Sequence, residues 1–255
     1  MDFKGKVCVV TGGANGIGRC ISLTFAKAGA HVAIIDLDKD QGEKVLVDIT
    51  AQGVKGIFFC GDIAKKETLD KFAEEVIRTY GNIDYLINNA CLSRSGILSG
   101  CDYEDFNDVL NVGITAPYML SKLFLHAFAA GGAIVNISST RSTMSQADTE
   151  SYTAAKGGIS ALTHALAISL AGKVRVNSVS PGWIDVADNN VSHTQPDKSQ
   201  HPVKRIGKAS DIARAVMFLC DAQNDFITGE NITVDGGMTK QMTYSGENGW
   251  VYEGK

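Results

Sequence analysis

Tyr152 and Lys156 stand four residues apart in "SYTAAKGGISALTHALAISLAG" (151–172), a stretch otherwise rich in small and apolar residues. On a helix, positions i and i+4 are surface neighbours with about 5–6 Å between Cβ atoms, which brings an ammonium within electrostatic reach of a phenol. A free tyrosine titrates near ~10, too high for a base at neutral pH. A neighbouring cation favours the phenolate and lowers that value. Such a pair can exchange a proton with a substrate oxygen. Taken alone it is also common surface decoration, so the rest of the chain must decide.

A second chemical signal comes early. "TGGANGIGRCISLTFAKAGA" begins at Thr11, and Gly12, Gly16 and Gly18 form G-x-x-x-G-x-G at a strand-to-helix turn. Glycines there let the backbone approach a pyrophosphate, while the helix N-terminus supplies N–H groups and a favourable dipole. The next apolar run, "HVAIID", ends in Asp36, eighteen residues beyond Gly18. That is where a dinucleotide fold keeps an acid for the adenosine ribose. A carboxylate there repels a 2′-phosphate and Leu37 offers it no cation, which favours NAD; Arg19 is the one basic residue nearby and keeps NADP open.

These residues need elements to hold them. Short apolar runs at 6–12, 31–36, 56–62, 83–89, 132–138, 174–180 and 231–236 read as strands. Helical patterns lie between them near 16–29, 40–52, 65–80, 103–129, 151–171 and 209–221. The runs are continuously apolar, not alternating, as expected of strands buried on both faces of a parallel sheet. Alternating β and α units predict a doubly wound α/β fold. No linker divides residues 1–255, so one domain is expected. The polar segment 185–205 is expected to form a lid over the substrate, since loops that long are more often functional than passive.

The chain resembles the short-chain dehydrogenase/reductase family. The resemblance runs from about residue 6 to 237 and rests on "TGGANGIG", "CGDI", "NNA", "NVG", "NISS", "YTAAK", "SPGWI" and "VDGG", in that order. It implies a Rossmann-type fold with a seven-stranded parallel sheet and helices on both faces, and assembly as a homotetramer or homodimer. By position it implies a catalytic set of Asn111, Ser139, Tyr152 and Lys156; the thirteen-residue lead over Tyr152 selects Ser139 over Ser138. It places Gly12, Asn15, Gly16, Ile17 and Gly18 at the pyrophosphate turn, Asp36 on the ribose, and Asp62 and Ile63 at the adenine. Asn89 and Ala90 would pass beneath that ribose, Tyr152 and Lys156 would also touch the cofactor, and Pro181, Gly182 and Ile184 would meet the nicotinamide side. Two positions depart from the family pattern: Val186 stands where many relatives carry Thr, weakening the cofactor grip, and Cys91 replaces a glycine after "NNA".

The resemblance implies an NAD(H)-dependent oxidoreductase moving a hydride between nicotinamide and a secondary alcohol or ketone, with Tyr152 as general acid/base. Lys156 would depress the phenol and grip the nicotinamide ribose, a cationic nicotinamide would push the phenol the same way, and Ser139 would steady the substrate oxygen. Asn111 would hold a water linking the lysine to solvent. Arg94, Arg141 and Trp183 fall in segments expected to line a polar, anionic substrate pocket; the alternative is that both arginines face solvent. The aromatic tail (Tyr244, Trp250, Tyr252) is expected to dock on an active-site rim.

Composition sets outer bounds. With 44% hydrophobic and 20% charged residues the chain is an ordinary globular sequence. A net charge of −4 with no basic block gives no support to a nucleic-acid or membrane partner. Six scattered cysteines without C-x-x-C spacing, and no apolar leader, fit a cytoplasmic protein. The five histidines form no cluster, so no metal site is expected.

Overall fold

In the computed structural model, residues 2–186, 193–242, 244, 246 and 251 are described. The first half builds β1 (Val7–Thr11), α1 (Gly16–Lys27), β2 (His31–Asp36), α2 (Lys39–Thr50), β3 (Gly56–Cys60), α3 (Lys66–Tyr80) and β4 (Ile83–Asn88). Next come α4 (Tyr103–Leu110), a π turn (Asn111–Thr115), α5 (Ala116–Leu123), β5 (Phe128–Ile137), α6 (Glu150–Ser169) and β6 (Val174–Pro181). The chain then forms β7 (Ile184–Asp185), α7 (Gln195–Ser199), β8 (Gly207–Lys208), α8 (Ala209–Cys220) and β9 (Asn231–Val234).

Seven strands make one parallel sheet in the order β3-β2-β1-β4-β5-β6-β9, while β7 and β8 pair as a small separate ribbon. The apolar runs are continuous because both faces are covered. Every residue of β1 and of β4 is buried. One face packs Ile21 and Phe25 of α1 with Ile212 and Val216 of α8; the other packs Leu69 and Phe72 of α3, Leu120 of α5 and Leu166 of α6. The strand order reverses between β1 and β4, so the connections leaving them diverge and open a crevice at their C-terminal ends. Open α/β sheets bind ligands at such a point.

The helix expected over 103–129 is divided. Pro117 stands at the start of α5; it lacks an N–H, and its ring would strike the carbonyl four residues back, at Gly113. The helix relieves that conflict through the wider π turn at Asn111–Thr115. β5 begins at Phe128, four residues before the expected 132, with an irregular register between Ile83 and Tyr85 of its neighbour. Gly131, at φ +78°, allows that irregularity without strain. Among the described residues, no helix is long and apolar enough to cross a membrane.

Candidate active site

The glycine turn closes against the neighbouring connection. A Cβ on Gly12 would come 2.9 Å from the Ala90 Cα, and one on Gly18 would lie 2.0 Å from the Gly12 carbonyl oxygen. Gly18 therefore serves the turn's own packing, facing inward. Thr11 Oγ1 accepts from the Asn89 and Ala90 backbone N–H groups, each at 3.0 Å. Asn89 Nδ2 donates to the carbonyls of Thr11 and Gly12. These bonds join the ends of β1 and β4 into one rigid crevice floor.

A cleft of about 590 Å3 opens over that floor. Gly12, Asn15, Gly16, Ile17, Asp36, Asp62, Ile63, Asn89 and Ala90 all line it, with Leu37, Leu92 and Val112, which the sequence did not mark as contacts. Asn15 makes no side-chain cap on α1 and no acid occupies the first turn, so the amide groups there keep their capacity for an anion. Asp36 accepts from the N–H groups of Ala14 (2.9 Å) and Asp38 (3.0 Å), which holds its carboxylate at the mouth of the turn. Asp38 accepts from Gln41 N–H and Asn15 Nδ2, and these bonds hold its carboxyl below the ordinary range. Arg19 is drawn to Asp48 at 3.4 Å.

Beside the cleft stand the proton-transfer candidates. α6 carries Tyr152 in its first turn and Lys156 one turn on. Lys156 is 4% exposed, its Nζ donates to the Ile137 carbonyl at 2.8 Å and lies 5.4 Å from the Tyr152 ring centroid. Burial lowers the lysine's pKa. Burial also raises the Tyr152 phenol, with the Cys91 thiol adding in the same sense, while the Ser139 hydroxyl and the Arg141 guanidinium pull it down. Desolvation of the ring dominates, so the phenol stands above its ordinary value, and the downward pull comes from Ser139 and Arg141.

The two serines that follow β5 divide their work. Ser138 turns into α6, donating to the Lys156 carbonyl at 2.8 Å and meeting the Ser160 hydroxyl. Ser139 accepts from the Arg141 N–H at 3.1 Å and faces the Tyr152 side. Asn111 opens the π turn, whose Gly113 lies so near Ala155 that a Cβ would approach within 2.8 Å. A buried chain runs from Asn88 Nδ2 to Asn136 Oδ1, then from Asn136 Nδ2 to Thr163 Oγ1. It pins β4, β5 and α6 together beneath the site, and polar residues inside apolar strands gave no hint of it.

Several of the expected contact residues lie outside the lining of that cleft. Pro181 is buried as the last residue of β6, paired with Val234. Gly182 lies against Asp235, 2.8 Å from its Cα for an added Cβ, so packing alone accounts for that glycine. Ile184 and Trp183 line a different cavity, of about 420 Å3, beside the buried imidazole of His201. Trp183 stacks edge-on to His193, and the structure does not bring it to Tyr152. Arg94 lies on the cleft above the glycine turn, ion-paired with Asp105 and Asp108. Both departures from the family pattern, Cys91 and Val186, stand on the cleft wall. Of the expected lid, 187–192 lie outside the described residues, as do Trp250 and Tyr252 of the tail; Tyr244 is exposed. No group of three potential metal ligands occurs among the described residues.

Known proteins are similar to this chain in sequence and in fold. A family model described as Enoyl-(Acyl carrier protein) reductase matches residues 12–239. An uncharacterized oxidoreductase of Thermotoga maritima is 38% identical over 253 residues, covering 95% of this chain and 99% of that one. The 3-oxoacyl-[acyl-carrier-protein] reductase FabG of the same organism is 30% identical, covering 93% and 99%. The apo SCOR enzyme structure from Clostridium thermocellum superposes with a TM-score of 0.89 at 45% identity, covering 98% of each chain. A short chain dehydrogenase from Burkholderia cenocepacia, in complex with NADP, gives 0.87 at 30% identity, covering 94% and 100%. The chain belongs to the short-chain dehydrogenase/reductase family of oxidoreductases.

Proposed function

We propose that this protein interconverts a secondary alcohol and a ketone with a nicotinamide dinucleotide, NAD(H) in preference to NADP(H), and that Tyr152 is the general acid/base. The observation that carries the reading is the meeting of Tyr152, Ser139 and Lys156 beside Cys91, a residue that lines the same cleft as the glycine turn and Asp36. The residues fit such a cofactor: the amide groups opening α1 suit a pyrophosphate, and the Asp36 carboxylate suits ribose hydroxyls.

When bound, the dinucleotide supplies the hydride chemistry. The protein's part is position and a proton. Tyr152 Oη exchanges a proton with the substrate oxygen, and Ser139 donates a hydrogen bond to that oxygen as charge develops. Lys156, fixed by the Ile137 carbonyl, holds a positive charge beneath the tyrosine ring and reaches toward a ribose hydroxyl. Asn111, at the π turn, orients a water toward that lysine.

The NAD preference rests on two carboxylates, Asp36 and Asp38, at the ribose corner, with Arg19 engaged by Asp48. A doubly charged 2′-phosphate there faces like charge. The NADP of the Burkholderia relative favours the second reading, in which the same site takes NADP(H). Initial rates with both cofactors separate the two, and equal or better rates with NADP(H) reject the preference. Tyr152→Phe is expected to cut turnover by about 10²–10⁴-fold with cofactor binding retained; unchanged turnover would refute the role of Tyr152. Assembly as a homodimer or homotetramer belongs to the same proposal and is read by light scattering.

A further inference from the structure

Arg141 and Arg94 are two arginines near this site, and their surroundings differ. Arg94 faces two carboxylates of α4, at 3.4 and 3.6 Å. Arg141 lies with its Cζ 5.5 Å from the Tyr152 ring centroid. Its hydrogen-bonding side-chain partner is the neutral amide of Gln146, and it forms no ion pair among the described residues. The acids on the adjoining segment are committed elsewhere: Asp148 accepts from Leu98 N–H and the Ser99 hydroxyl, and Glu150 accepts from Ile97 N–H. An uncompensated guanidinium therefore stands over the ring that is to exchange the proton.

We propose that the substrate carries a free carboxylate close to its reacting carbon, a short oxo acid or hydroxy acid, and that Arg141 anchors it. This rests on the hydride-transfer reading above and adds the substrate class to it. A guanidinium has five N–H donors in a planar fork, and one bond to Gln146 leaves a pair for a carboxylate. The root of the side chain is held because Arg141 N–H donates to Ser139 Oγ, in the short turn Thr140–Ser142 that follows β5. The residue that would steady the reacting oxygen and the residue that would seat the carboxylate are thus two apart on one turn. A substrate in which a thioester replaces the carboxylate, as the name of the 3-oxoacyl-[acyl-carrier-protein] reductase relative implies for that protein, brings no negative charge to Arg141.

The test uses the full chain with pyruvate, acetoacetate and levulinate, each against its methyl ester, followed through the nicotinamide absorbance. At least one acid is expected to exceed its ester by about ten- to hundredfold in kcat/KM, mostly through KM. Arg141→Met should erase that ratio and Arg141→Lys should restore part of it, because a point charge replaces the fork. Esters matching acids at all three lengths, or an acid preference that survives in Arg141→Met, would overturn the proposal. In parallel, calorimetric titration of the three acids into the Tyr152→Phe protein with cofactor present reads binding without turnover. Binding that requires Arg141 with no absorbance change in the wild type would reject hydride transfer and keep the carboxylate anchor. Absence of binding by all three acids would reject the anchor.

Discussion

The Lys156 ammonium lies 2.8 Å from the Ile137 carbonyl oxygen and 5.4 Å from the centre of the Tyr152 ring, so among the described residues its hydrogen bond goes to the end of β5 and not to the phenol. The lysine is positioned by the strand and acts on the tyrosine only through space. Lys156→Met removes that charge and also leaves a buried carbonyl without its donor, a loss of about 1–3 kcal/mol. We expect turnover to fall by at least about 10²-fold, as for other proton-transfer groups, together with a lower Tm. A Tm unchanged in Lys156→Met would show that the Ile137 bond contributes nothing to stability.

Ser138 and Ser139 should separate in a pH profile. The Ser139 hydroxyl pulls the Tyr152 phenol down, so Ser139→Ala raises the apparent pKa of the rate in the alcohol-oxidising direction. At neutral pH the rate falls. Ser138→Ala breaks its bonds to the Lys156 carbonyl and Ser160, lowering Tm while leaving that pKa in place. Identical profiles for the two variants would contradict the division.

Alkaline stability has a located cause. Burial pushes the Tyr80 phenol from 10.0 to about 12, and burial moves Tyr85, Cys8 and Cys220 in the same direction. The folded protein keeps a proton that the unfolded chain gives up. For Tyr80 the stabilisation is therefore complete below pH 10 and is lost as pH rises from there through about 12, while for Cys8 and Cys220 the loss begins from 9.0 upward. Among the described residues the Tyr80 hydroxyl has no hydrogen-bond partner, so Tyr80→Phe should be neutral or stabilising at pH 7 and should flatten the fall in Tm between pH 10 and 11. An equally steep fall in the variant would remove Tyr80 as a cause.

Gly18→Ala tests the turn. Its Cβ would sit 2.0 Å from the Gly12 carbonyl oxygen and 2.5 Å from Asn89 Nδ2, so the crevice floor must move. Overpacking of this kind costs about 1–3 kcal/mol, read as a lower Tm, and dinucleotide affinity should drop with it. Gly53→Ala is a control for backbone strain alone, since φ is +78° and nothing stands within 4 Å of its Cβ. Equal effects on affinity would show that the loss at Gly18 is not local to the cleft.

Residue order alone determined the sheet's parallel, two-sided burial, because continuous apolar runs such as "VCVV" and "VAII" can satisfy only strands covered on both faces. It also determined which residues face the cleft from the glycine turn and from Asp36, since turn chemistry is local to a few residues. What it could not decide was interaction across segments far apart in the chain. Nothing near Arg94 or Arg141 distinguishes them; folding sets Arg94 against Asp105 and Asp108 and leaves Arg141 with an amide. Trp183, two residues after Pro181, faces a second cavity because β7 pairs with β8, a contact closed by tertiary structure. The sign of the Tyr152 shift belongs to the same class: helical spacing places a cation nearby, but the burial that outweighs it comes from three-dimensional packing.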